Sequence, residues 1–91
     1  MLKTRGRDID SIQNLVKRIR VLAEEKDDSY AQYRLAKLYE KGEGIARDIE
    51  TSMYWYLRSL SKSNYASYDF AKIAEKHPKL VSKVRSKMQE T

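Results

Sequence analysis

The chain has 91 residues, 41% of them apolar and 35% charged, with a formal net charge of +6 at pH 7. That suffices for one small domain whose single core lies near the minimum for independent folding. It contains no cysteine, which excludes disulfides, thiolate metal sites and thiol catalysis, and no apolar run approaches the ~20 residues of a membrane-spanning helix.

Charge is uneven along the chain. Residues 1–20 and 72–91 each carry six basic residues against two acidic ones, leaving a slight negative balance in between. That middle stretch holds all seven tyrosines, Trp55 and Phe70. The basic start, MLKTRGRDID, precedes no apolar h-region, so it does not read as a signal peptide. A cytoplasmic protein is the expectation, and the lack of cysteine fits a reducing compartment.

Residues 1–7 lack apolar periodicity beyond Leu2 and read as a loose basic leader to a single domain over 8–91. Asp8 or Asp10 then offers an N-cap, and Asp10 with Gln13 has the form of a capping box. Ile9, Ile12, Leu15, Val16, Ile19, Leu22 and Ala23 recur at three- and four-residue steps, which predicts an amphipathic helix ending near Lys26. Asp28 or Ser29 caps a second helix whose core face is Ala31, Leu35, Leu38 and Tyr39. Small Ala36 lets a neighbour approach closely. Gly42 ends that helix in the left-handed conformation, Gly44 lets the chain reverse, and Ile45 plugs the turn.

Asp48 caps a third helix with Glu50 in its first turn, where the helix dipole favours negative charge. Ser52, Trp55, Tyr56, Ser59 and Leu60 form its inner face. After a break at 61–64, a fourth helix ends near Lys76. Pro78 then opens a fifth with a narrow stripe of Leu80, Val81, Val84 and Met88. No stretch alternates with the two-residue period of a strand. The expectation is five helices and no sheet.

The fourth helix restates the second. SYAQYRLAKLYEK at 29–41 aligns with NYASYDFAKIAEK at 64–76, pairing Tyr30 with Tyr65, Tyr33 with Tyr68, Ala36 with Ala71 and Glu40 with Glu75. Each pair is 35 residues apart, a period that marks stacked helical repeats. Ala31, Leu35, Tyr39, Gly42, Gly44, Ile45, Asp48, Trp55 and Tyr56 stand where the Sel1-like repeat has its motif residues. Ala66, Phe70, Ala71 and Ile73 restart the motif. Residues 22–76 therefore resemble the Sel1-like family, a relative of the tetratricopeptide repeat. Ala36 stands at a usual glycine, and Ser52, Ser59, Leu60 and Ser63 at usual small residues. His77 and Pro78 replace a second glycine turn.

The resemblance implies an all-α, short right-handed solenoid of about five helices that serves protein–protein contact and has no activity of its own. It also implies a family often appended to larger bacterial proteins. Terminal helices cap such arrays, or a second copy covers an open end as a homodimer.

Catalytic candidates are few. His77, the single histidine, stands at a helix break without a partner at motif spacing and reads as a cap or loop residue. Glu24–Glu25 and Asp27–Asp28 are adjacent acids, which do not share a helix face, and read as caps and solvated surface rather than a metal or glycosidase pair. Gly42-Glu43-Gly44 follows a helix and lacks a phosphate-loop lysine. No catalytic, metal or cofactor site is assigned.

Two surfaces remain as binding candidates. Tyr30, Arg34, Lys37 and Lys41 share one side of the second helix, and Tyr65, Asp69 and Lys72 are their counterparts one repeat on. Tyrosine and arginine are enriched at binding hot spots, so this side is the expected partner surface. A solvated charged face is the plainer alternative. The second candidate is nucleic-acid association through the basic N- and C-terminal helices, with Lys79, Lys83, Arg85 and Lys87 on the last helix as a positive edge able to neutralise phosphates.

Overall fold

The computed structural model describes residues 2–90, with side chains from Ser11 to Glu90, and over that range the chain is all helical. Its elements are α1 (Leu2–Glu24), α2 (Ser29–Lys41), α3 (Ile49–Leu60), α4 (Ser67–Lys76) and α5 (Pro78–Glu90). Helices α2 and α3 form the central hairpin. Helix α1 packs on α2, while α4 and α5 pack on α3 and on each other. This is the arrangement of a small helical-repeat solenoid.

The sequence places the hairpin by its caps. Asp28, in extended conformation, accepts a bond from the Ala31 amide at 2.8 Å and so satisfies one free donor of α2. Asp48 does the same for α3 through the Thr51 amide at 3.1 Å. Gly42 closes α2 at φ 73°, and its amide and that of Glu43 both reach the Leu38 carbonyl. Gly44, at φ 70°, has a second role. A Cβ there would lie 2.7 Å from Ile12 Cγ2 and 2.9 Å from Val16 Cγ2, so its bare backbone admits α1 against the turn.

Two apolar clusters sit on either side of the hairpin. Ile19, Ala23, Ala31 and Leu35 join α1 to α2, whereas Ala36, Met53, Tyr56, Ala66, Phe70, Ile73 and Val84 join α2 and α3 to α4 and α5. Trp55 is partly buried and packs on both, which makes it the bridge between them rather than a fully enclosed core residue. Tyr56 is the large enclosed aromatic of the core, with 0% exposure. Its hydroxyl donates to Glu40 at 2.5 Å. Buried Ser52 and Ser59 donate to the Ala36 and Ser29 carbonyls of α2, each at 2.7 Å, and so bind the hairpin's two helices together.

Several boundaries differ from expectation. Helical backbone begins at Leu2, so Asp8 and Asp10 lie inside α1 and the stretch read as a loose leader is helical from its second residue. Helix α1 stops at Glu24 because Asp27 turns left-handed, with φ 55°, and the Asp28 amide returns to the Leu22 carbonyl at 3.0 Å. Only part of its apolar stripe is covered. Val16, Ile19 and Ala23 are buried, while Ile12, Leu15 and Leu22 are exposed because, among the described residues, α2 is the one helix that packs along α1. Helix α4 starts at Ser67, which leaves Tyr65 in the preceding turn, and Ala71 is exposed. The reason is a missing cap. Ser63 stands one repeat after Asp28, and its hydroxyl bonds back to the Ser59 carbonyl instead of to an amide of α4.

Candidate functional site: a tyrosine–cation groove on helix α2

Helical spacing brings Tyr30, Tyr33, Arg34, Lys37 and Lys41 to one side of α2. With Leu38 of the same helix and Glu43 from the following turn they line an open groove of about 360 Å³. Tyr30 and Tyr65, the equivalent residues of the two repeated segments, meet edge to face with centroids 5.1 Å apart. Tyr33 completes the cluster, 6.1 Å from Tyr30 and 6.2 Å from Tyr65. Behind them Tyr33 also touches buried Tyr56 at 6.3 Å, so the surface cluster is seated on the core.

The cations are laid over these rings. Arg34 lies 5.8 Å from the Tyr30 centroid and Lys37 lies 5.3 Å from that of Tyr33, within cation–π range. Lys37 also donates to the Tyr33 hydroxyl at 3.4 Å. That bond, with Asp69 and Glu40 nearby, raises the lysine's pKa and keeps it charged.

The seven residues expected to form a contact surface are therefore not all gathered. Tyr30, Arg34, Lys37 and Lys41 line the groove, Tyr65 abuts it, and Asp69 acts on Lys37 through charge. Lys72 stands apart, 5.2 Å over the ring of exposed Tyr68. Tyr33, Leu38 and Glu43 were not in the expected set. The three-residue step from Tyr30 to Tyr33, and its echo at Tyr65 and Tyr68, could have signalled Tyr33. The Glu43 position depends on the turn and could not be read from helix spacing.

Chemically the groove has aromatic faces, hydroxyls and three cations to one carboxylate. Among the described residues no cluster of three or more histidine, aspartate or glutamate side chains could hold a metal ion. His77 is the C-cap of α4, its amide bonded to the Ile73 carbonyl at 3.0 Å.

The last helix presents a different picture. Lys83, at 3.3 Å, and Lys87 both pair with Glu50 of α3. These pairs lower the Glu50 pKa and raise that of Lys87. Arg85 lies with Leu57, Met88 and Gln89 around a smaller hollow, and Lys79 borders one near His77 and Pro78.

Comparison with protein-family models gives a match to the Sel1 repeat over residues 29–64. The chain carries a Sel1 repeat. The matched span takes in α2, the glycine turn, α3 and the break after it, and so contains every residue that lines the groove, while Tyr65, which abuts the groove, lies just beyond it. The restated helix at 65–76 lies beyond it. No curated protein and no solved structure matches the chain. Sel1 repeats are non-catalytic and generally mediate protein–protein interaction, and among the described residues no helix is long and apolar enough to cross a membrane.

Proposed function

We propose that this chain is a non-enzymatic interaction module, an adaptor, scaffold or inhibitor within a larger assembly, that docks a cytoplasmic partner protein on the groove of α2. The observation that carries this reading is the Tyr30–Tyr33–Tyr65 cluster, exposed on its outer side, with Arg34 over Tyr30 and Lys37 over Tyr33 within the Sel1 repeat and Tyr65 just beyond it. Half-exposed tyrosines seated on a packed core give contact area at small entropic cost, which is the character of hot-spot residues.

Nucleic-acid binding along α5 has less support. Two of its four candidate cations share Glu50, so part of their charge is already compensated within the chain.

The test is capture of native-host proteins by the intact chain, by Tyr30→Ala/Arg34→Ala and by Lys83→Ala/Lys87→Ala. Loss of a saturable protein partner in the first variant alone supports the reading. Loss confined to the second, with binding that falls steeply as salt rises and with nucleic acid as the recovered species, overturns it.

A further inference from the structure

Five cations pair with carboxylates: Arg20 with Glu24 within α1, and, across helices, Arg58 and Lys62 with Asp27 and Lys83 and Lys87 with Glu50. Arg34, Lys37 and Lys41 are paired with no carboxylate among the described residues, although the groove they line holds Glu43. Arg34 and Lys37 are instead positioned over tyrosine rings, which orient a cation without neutralising it. Three cations in one groove, two of them held over rings and none in an ion pair, form a surface that gains from an anionic partner.

Geometry narrows the partner further. The groove is walled by one helix and its turn, so it cannot enclose a small molecule as a cavity would. Arg34 and Lys41 are seven residues apart, about 10.5 Å along the axis at 1.5 Å per residue. That is roughly the span of three residues of extended chain at 3.3 Å each. The Tyr30 and Tyr65 rings, 49% and 54% exposed, offer apolar contact beside the cations. Arg34 and Lys37 cover faces of Tyr30 and Tyr33 on which a nucleic-acid base would stack, which favours a peptide over a single strand.

We propose that the groove takes an extended acidic segment of the partner protein, with Asp or Glu carboxylates on Arg34, Lys37 and Lys41 and an apolar side chain against Tyr30 and Tyr65. This rests on the docking site proposed above and adds the chemistry of its occupant.

The experiment is a nuclear magnetic resonance titration of the ¹⁵N-labelled full chain with three probes. One is a ten-residue peptide of Asp and Glu with two central leucines. The second has every acid replaced by its amide, and the third is a ten-nucleotide single-stranded DNA. The expected result is that the acidic peptide moves the amides of residues 30–43, and that the amide peptide binds at least about tenfold more weakly. Arg34→Gln/Lys41→Gln, both at exposed helical positions, should weaken the acidic peptide by a similar factor while leaving the circular dichroism spectrum unchanged. Equal binding of the amide peptide at the same amides overturns the acidic occupant and leaves the docking site standing. Tighter binding of the oligonucleotide at those amides overturns both. Acidic-peptide shifts confined to residues 79–87, or no shift in α2 with any probe, overturn the acidic occupant, and the capture experiment then decides the site.

Discussion

Tyr56 and the two buried serines show how single side chains lock the central hairpin. Tyr56 is fully enclosed, and its hydroxyl ends on the Glu40 carboxylate at 2.5 Å. Burial first, and then this acceptor, push the phenol's pKa far above its ordinary value, so the group is a neutral donor at every working pH. A hydrogen bond to a charged acceptor contributes about 1.5–3 kcal/mol. Because Glu40 is only partly buried and can be rehydrated, Tyr56→Phe should cost about 1.5 kcal/mol in urea unfolding, and an unchanged midpoint would show that the bond contributes nothing. Ser52→Ala should cost less, about 1 kcal/mol, since the Ala36 carbonyl keeps its place in the helix ladder. The repeat motif marked both serines as small residues at a close approach, and that reading of the spacing holds. Their hydroxyl bonds were not legible, because the acceptor carbonyls lie on another helix, 16 and 30 residues back along the chain. The contact of Tyr33 with Tyr65 was illegible for a related reason: helix spacing alone does not reveal Tyr65 arriving from the turn before α4.

At the scale of elements, the five helices were legible because each has a cap, a breaker or a period of its own, and so was the face of α3 turned to α2, whereas what α1, α4 and α5 pack against was not. Helix α1 is the clearest case, since its periodicity marks a wide apolar stripe and α2 covers only part of it. Its seat depends on Gly44. Gly44→Ala must both hold a side chain at φ 70° and displace Ile12 and Val16. The expected outcome is faster amide exchange throughout residues 11–24, with the α3 and α4 amides much less affected; uniform acceleration across all helices would show that α1 is not an independently released unit. Helix α5 is held in two ways, and magnitudes decide between them. The Glu50 pairs with Lys83 and Lys87 involve largely exposed lysines, and such pairs are typically worth under about 1 kcal/mol. Val84, at 0% exposure, removes enough apolar surface from water to contribute about 2 kcal/mol. Val84→Ala should therefore lower the melting temperature more than Glu50→Gln does, and the reverse order would place the anchor of α5 in its charges.

For the molecule as a whole, carboxylates bond across helices that the apolar clusters also join, and this makes stability dependent on acid. Asp27 is the main junction. It follows α1, accepts from Gln32 of α2 at 2.8 Å, pairs with Arg58 of α3 at 3.1 Å, and pairs with Lys62 beyond α3. Bonds to Lys62 and Gln32 are the chief reasons its pKa falls from 3.8 to about 2. Asp48 and Glu50 are lowered as well, the first by Thr51 and the second by Lys87. A carboxylate whose pKa is lower in the folded than in the unfolded chain stabilises the fold above its unfolded value, and that contribution disappears as pH falls through the folded one. For Asp27 the contribution is complete above about pH 4 and lost by about pH 2. Protonating these acids also leaves nineteen lysines and arginines with less to offset them. Melting temperatures of the intact chain and Asp27→Asn, measured from pH 7 to pH 2, separate the two effects, since repulsion among the cations acts on both proteins. The gap between them should be constant down to about pH 4 and close by about pH 2. A gap of unchanged size at pH 2 would mean that Asp27 serves the junction by geometry, as a neutral acceptor and left-handed turn, and not by its charge.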